Sequence, residues 1–497
     1  MKIFHIKNKK KESLFIPDNK GVISLFLCLI LLVLIPIIFI MIESTRYSAM
    51  KTEIECVTDM AMDSVLAEYN RELLDRYNLL FIDTAYADET GSPDNTGDHL
   101  KEYMEYNLSP SDSLLSSGSR DLFGLSVESV DITRVSRATD DNGAVFKYMA
   151  ISYMLEYYGY SYVESANDMV SQVSSSGLLD IDVSADLENS RDELSNLDYE
   201  TEGSDSGEDF EDIYVEDPSL SINSISDSGF LSVICSDEVS GITTDLSYCP
   251  SSRDLVAGDG IYNEWPDYND IADELLFNEY IMLHYGSYKS PKEGSVLGYE
   301  TEYIISGTGS DTDNLESVAK MILFIRSGAN ALTYMSSPVL QGECASLATA
   351  LTLIFPPAQP IVQTILSAAW IYAESVWDLR IIFNNGKLPL IKNQTEWNMT
   401  LEDAINNLGT LLSGGPCDYS NYTNGIGYRD YLRILLYLTG SDEKVKRTID
   451  ITEMDIRNIT GNMSFKIDNC IASFSMQTVL TSSYGYEFLV QKDFGYW

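Results

Sequence analysis

Val22–Ile42 reads VISLFLCLILLVLIPIIFIMI, twenty-one residues without a charge. At about 1.5 Å per residue, a helix of that length covers roughly 30 Å, the hydrocarbon thickness of a bilayer. Ahead of it stand Lys2, Lys7, Lys9, Lys10, Lys11 and Lys20, against only Glu12 and Asp18. Lysines gathered beside a span hold that end in the cytoplasm, so the bulk of the chain is expected outside the cell membrane. A cleaved secretory signal would have an apolar core of about 7–15 residues and small residues at its cut site. Here the core is longer, and Glu43-Ser44-Thr45-Arg46 follows it. The expectation is a single-pass anchor that sits in the lipid bilayer through residues 22–42, with Glu43 and Arg46 marking its outer boundary. Pro36 removes one backbone hydrogen bond inside the span, which membrane helices tolerate.

Outward from the span, Glu43 to Tyr77 contains no Gly or Pro. Met50, Ile54, Val57, Ala61, Val65, Tyr69, Leu73 and Tyr77 recur at three and four residues, which places them on one helical face. One long helix follows from this, its first half in lipid and its second packed on an outer body. Two helices hinged at the membrane surface would give the same pattern.

Residues 1–46 carry seven Lys/Arg and three acids, a net of +4, which leaves −48 for the rest of a chain whose net charge is −44. A body that acidic repels nucleic acid, so no nucleic-acid partner is expected. It remains able to attract calcium or a basic protein partner. Of seven cysteines, Cys28 lies in the span, and Cys56, Cys235, Cys249, Cys344, Cys417 and Cys470 lie beyond it. Six allow fifteen pairings; Cys235 and Cys249 flank a short loop and form the favoured candidate disulfide.

The remaining pattern predicts a helix-rich α+β protein: an N-terminal transmembrane helix continuing into a long extracellular helix, then a large mixed ectodomain. The expected divisions are a basic leader (1–21), the span (22–42), a membrane-proximal helical and α+β region (43–185), an acidic low-complexity linker or insertion (186–228) and a C-terminal α+β domain (229–497). Leu125, Val127, Val130 and Ile132 alternate like a strand. Val296–Gly307 also reads as a strand, and Asn314–Met335 as a helix capped by Asp313 or Asn314. Residues 345–383 read as two apolar helices split by Pro356-Pro357, too short and too charged at Glu374, Asp378 and Arg380 for a membrane hairpin. Amphipathic helices are expected from Trp397 and over Tyr428–Leu438, and a strand at the C-terminal tail.

Chemistry is sparse. The histidines are His5, His99 and His284, with neither H-E-x-x-H nor G-x-S-x-G in the chain. Seventy-six acidic residues make carboxylate pairs common by chance. Asp180, Asp182, Asp186 and Glu188 invite a calcium reading, but they lack the glycine and the distant bidentate Glu of an EF-hand loop and read better as a solvated run. No catalytic, cofactor-binding or metal-ligating residue is singled out.

Three kinds of segment carry a resemblance: the span with Glu43-Ser44-Thr45-Arg46, the stretch Met60–Leu74, and the segments Glu302–Val318, Gly386–Trp397 and Tyr428–Gly440. Together they resemble an uncharacterised family of Gram-positive membrane-anchored proteins associated with tight-adherence (Tad/Flp) pilus loci. At a coarser level the N-terminus is similar to TadE/TadG-type pseudopilins, in which a basic leader ends at Gly, an apolar helix follows and a Glu lies just past it. Lys20-Gly21, Val22–Ile42 and Glu43 fit that outline, and the resemblance implies a candidate leader-processing site between Gly21 and Val22. It departs at Phe26, where pilin-like proteins carry Glu. The resemblance implies pilus or secretion-system protein partners and a non-enzymatic assembly or adhesion role. The alternatives from other classes are a cell-envelope hydrolase and a surface receptor for cations or a partner.

Overall fold

A computed structural model describes residues 19–86, 90–109, 123–159, 171, 173, 175–195, 229–260, 270–353, 356–407 and 422–496. Most of the leader with His5, the segment 196–228 and Cys417 lie outside the described residues. The chain divides into two compact units built from discontinuous stretches. One comprises Met1–Ala67, Gly97–Asp131 and Met476–Lys492, the other Glu68–Thr96, Ile132–Ser475 and Asp493–Trp497.

In the first unit, α1 (Asn19–Leu66) is one continuous helix with Pro36 inside it. Its large apolar side chains from Ile23 to Ile42 are exposed. From Met50 onward the burial changes: Met50, Ile54, Val57, Ala61 and Val65 are all buried, the face that the three-and-four spacing marks out. The helix stops at Leu66, and α2 (Arg71–Tyr77) begins afresh after an Asn70 cap that accepts the Leu73 N–H. The periodicity at Tyr69, Leu73 and Tyr77 therefore crosses a break. The described residues include one helix long and apolar enough to cross a membrane, and it is α1.

Four strands form a sheet in the order β1–β3–β2, with β4 also on β3: β1 is Ile82–Asp83, β2 Leu125–Arg137, β3 Cys470–Ser482 and β4 Glu487–Gly495. β1 runs antiparallel to β3, Ile82 opposite Ile471. The β3–β4 turn places Gly485 at φ +81°, a conformation glycine adopts without steric cost. β2 and β4 lie where the sequence pattern puts strands. β3 does not announce itself, since Cys470–Met476 is buried on both faces and shows no alternation.

The second unit is a helical body. Its helices among the described residues are α2, α4 (Asp140–Tyr158), α5 (Val183–Ser195), α6 (Phe230–Ile234), α7 (Asp270–His284), α8 (Glu300–Ser306), α9 (Asp311–Ser336), α10 (Pro338–Leu351), α11 (Gln359–Phe383), α12 (Tyr428–Leu438) and α13 (Ser441–Thr460), with α3 (Pro93–Leu108) shared between the units. α11 is the central rod, packed by α5, α9 and α10. A second layer joins α4, α7, α8 and α13.

Two local expectations are corrected. Val296–Gly307 is not a strand: Glu300–Ser306 is helical, with Glu300 to Ile305 buried. Its apparent alternation comes from Glu300 and Glu302, which do not face solvent but accept the backbone N–H groups of Gly286 and Tyr288. The α9 cap is Ser310, whose Oγ accepts the Asp313 N–H, rather than Asp313 or Asn314. Asp311 instead ties down Gly298, Tyr299 and Ser240, and Asn314 binds Thr308. After Trp397 the described residues form a short turn of π-helix at Asp403–Asn407, and residues 408–421 lie outside the described residues. α12 spans Tyr428–Leu438 as its pattern requires.

Candidate functional site

The boundary of the anchor is the first candidate. Glu43 and Arg46 lie one turn apart on α1 and pair at 2.7 Å. The Arg46 guanidinium stacks over the Tyr484 ring at 4.3 Å, and the Tyr486 hydroxyl donates to Glu43 at 3.2 Å. Tyr47 packs against Tyr486 and Phe488. The β3–β4 turn thus sets Tyr484 and Tyr486 against Glu43, Arg46 and Tyr47 of the helix, just beyond the apolar run. Such rings, apolar in body and polar at the tip, suit the headgroup level of a bilayer. Gly21 lies within α1 and is exposed; Val22 is also helical. Among the described residues nothing outside α1 packs where a side chain at Gly21 would lie.

In the second unit the polar groups turn inward. Around Arg76, at the end of α2, Asp455 accepts from Arg76 Nη2 at 2.7 Å and from the Tyr77 hydroxyl at 2.8 Å. Glu300 sits 3.6 Å from the same guanidinium. Burial and the Asp455 charge push the Glu300 carboxyl well above the usual range. His284 is buried in a frame of Tyr77, Tyr153 and Tyr280. Its Nδ1 lies 3.0 Å from the Arg76 carbonyl, which can only accept, so Nδ1 carries the proton. Burial lowers its pKa to about 4, and the ring is neutral at physiological pH. Glu300 and Asp455 are an acid pair, yet both are fully buried, and a glycoside-cleaving pair must reach substrate.

A second cluster joins α9 and α11. Lys392 Nζ contacts both Glu374 and Asp378. Asp378 also accepts from Arg326 Nη2 at 2.7 Å and Asn330 at 2.9 Å. Burial works against the Asp378 charge, but Lys392 and Arg326 overcome it and hold its carboxyl below the ordinary range. Arg253 bridges Glu453 and Asp468 in a third, at 2.8 and 2.7 Å. It borders a cleft of about 650 Å³ with Arg457 and Lys466, but Arg457 is itself paired to Glu453 at 2.5 Å. The cations of this cleft are mostly spent within the protein.

Other expected sites are placed as follows. Cys235 and Cys249 are not joined: both are free thiols. The short loop between them leads to two different walls, Cys235 capping α6 beside Tyr288, and Cys249 buried near Asp450 and Glu453. Burial and those two carboxylates push the Cys249 thiol up to about 12. Asp182 caps α5 by accepting the Ala185 N–H, and Asp180, Asp186 and Glu188 are exposed around it. Among the described residues no group of His, Cys, Asp and Glu is arranged to hold a metal ion. What the sequence reading missed is the buried ionic interior: Lys392, Lys444, Arg326, Glu300, Glu374 and Asp455. The available signal was acids and lysines at four-residue spacing inside apolar helices, as in Glu374-x-x-x-Asp378.

A helix long and apolar enough to cross a membrane, followed by a helix-rich α+β body with a charged interior, defines an architecture, not an activity. The chain belongs to DUF5702, a family of unknown function, which it matches over residues 208–482. No curated protein and no solved structure matches it. The matched range contains Glu302–Val318, Gly386–Trp397 and Tyr428–Gly440, while the anchor and Met60–Leu74 lie before it.

Proposed function

We propose that this protein is a single-pass, membrane-anchored and non-enzymatic scaffold of the cell envelope that accompanies a Tad-type pilus or secretion system. The observation that carries the reading is α1: apolar and exposed on all sides to Ile42, then buried along one face from Met50. A helix exposed all round with such composition needs lipid, and one buried along a stripe needs protein. The lysines before it keep the leader in the cytoplasm, and the acidic body lies outside the cell. Tyr47, Tyr484 and Tyr486 meet the headgroups. The pilus association rests on the resemblance of the N-terminus to TadE/TadG-type pseudopilins.

The test is made on cells carrying the intact gene and a deletion. Protease added to whole cells is expected to degrade the body while residues 1–42 stay with the membrane fraction. Deletion is expected to reduce surface filaments and adhesion. Protection of the body from external protease overturns the topology. Unchanged filaments and adhesion in the deletion overturn the pilus role and leave the anchor standing.

A further inference from the structure

Lys444 lies on α13 with its side chain completely buried. Its Nζ donates to Asn278 Oδ1 at 2.6 Å, to Glu274 Oε2 at 2.7 Å and to the Leu436 carbonyl at 3.1 Å. Glu274 and Asn278 are four residues apart on α7 and therefore share one face. Asn278 is 2% exposed, and its Nδ2 is buried with no hydrogen-bond partner among the described residues. Turning the amide over would set that NH₂ against the Lys444 ammonium, two donors face to face, so the carbonyl oxygen is the end presented to the lysine. On the far side of Glu274, Lys147 Nζ contacts Oε1, and Ser441 donates to the same oxygen at 2.5 Å.

We propose that Lys444 and Asn278 condense into an intramolecular amide bond that staples α7 to α13, with Glu274 as the proton acceptor. A carbonyl carbon stands about 1.2 Å behind its oxygen, so Nζ is no more than about 3.8 Å from Asn278 Cγ, and a small rotation of the amide reaches attack distance. Two lysines share one carboxylate here, which leaves one surplus positive charge among these groups. Burial and the second cation lower the Lys444 pKa, which eases loss of its proton. The two lysines hold the Glu274 carboxyl down at about 2, so Glu274 carries that proton only in passing. The Lys444 proton passes to Glu274, and the Nζ lone pair adds to Cγ. Glu274 hands that proton to Nδ2 and the Cγ–Nδ2 bond breaks; the second proton left on Nζ follows through Glu274, so ammonia departs as ammonium and carries the positive charge away. One C–N bond forms and one breaks; no oxidant, metal or cofactor is consumed. Nothing binds Nδ2, so no hydrogen bond is lost when it leaves. The product removes a buried charge and joins segments that the chain separates by 166 positions.

The test is intact-mass spectrometry of the full-length protein purified from membranes in detergent, followed by peptide mapping. The expected result is a mass lighter than the sequence by one ammonia, and a branched peptide uniting the segments that contain Asn278 and Lys444. Lys444→Arg keeps the charge and is expected to restore the sequence mass, as is Asn278→Ala. Glu274→Gln is expected to slow bond formation by roughly a hundredfold or more, since proton transfer is worth that much. A wild-type protein at its full sequence mass overturns the proposal without reference to any variant. So does loss of ammonia without the branched peptide, which is succinimide formation at an asparagine.

Discussion

Lys392 and Lys444 start from the same design and end differently. Each is fully buried, and each faces a helix that offers Glu and, four residues later, a second acceptor. For Lys392 the pair is Glu374 and Asp378; for Lys444 it is Glu274 and Asn278. At the first site Arg326 adds a second cation and Asp378 a second anion, so the charges match, and the carboxylate stays ionised. An ionised carboxylate is a poor electrophile, and Lys392 remains a salt-bridged ammonium. At the second site Lys147 adds a cation, but an amide replaces the second anion. One atom, oxygen or nitrogen, separates a static ion cluster from a site that can relieve its charge by forming a bond.

The largest effect is expected from Lys392→Met, which leaves Glu374 and Asp378 buried with Arg326 alone. Removing one partner of a buried ionic group costs about 3–5 kcal/mol. Urea unfolding followed by circular dichroism measures it, and a loss under 1 kcal/mol would mean that water enters the cluster. Asp378→Asn is the sharper variant, because it makes the first helix face match the second. It is expected to cost about 3 kcal/mol, since two cations then share Glu374. Where it folds, it should also lose one ammonia beyond the wild type. Folding without that loss would show that the amide alone does not decide reactivity and that the placement of the second cation does.

A third buried carboxyl has no cation against it. Glu302 accepts from the Tyr428 hydroxyl at 2.5 Å and the Tyr288 N–H at 2.9 Å, and burial raises its pKa to about 7. In the unfolded chain it titrates near 4.3, so across that window the folded state holds a proton that the unfolded state gives up. Stability from this group is full below pH 4.3, falls as pH rises, and is lost by about pH 7, by up to about 3 kcal/mol. Glu302→Gln mimics the neutral acid and is expected to match the wild type at low pH and exceed it by that amount at pH 7.5. His284, whose pKa burial lowers to about 4, acts with the opposite sign, gaining stability as pH rises to about 6.5. It is common to both proteins and cancels in their difference. A difference that does not change between pH 5 and 7.5 would place the Glu302 pKa near its ordinary value.

These buried carboxyls also mark where the sequence could be read and where it could not. Met50, Ile54, Val57, Ala61 and Val65 were legible because each buried position is apolar, and so was α12 from its alternating faces. α13 was not: Lys444, Thr448, Asp450, Thr452, Glu453 and Asp455 are all fully buried, so polarity does not mark which side of the helix meets solvent. Glu300 and Glu302 made a helix look like a strand for the same reason. Pattern reading assumes that charge means solvent, and the assumption holds for α1 and fails wherever a charge is partnered within the protein. The candidate covalent site fell in that blind region, since no periodicity reveals which lysine meets Asn278 across 166 positions.

Lys320 supplies the reference that closes the scale. It lies on α9 six residues before Arg326, and its side chain is 63% exposed while pairing with Glu316 at 2.6 Å. The distance resembles the buried contacts, but water screens the pair and both long side chains lose freedom when they meet. Lys320→Ala is therefore expected to change stability by less than about 0.5 kcal/mol, partly offset by the higher helix propensity of alanine. Urea midpoints measured alongside Lys392→Met test this within one experiment. A loss approaching that of Lys392→Met would mean that this face of α9 is covered by something that shields the pair from water. The contrast drawn between buried and exposed lysines would then have to be redrawn with that covering partner in place.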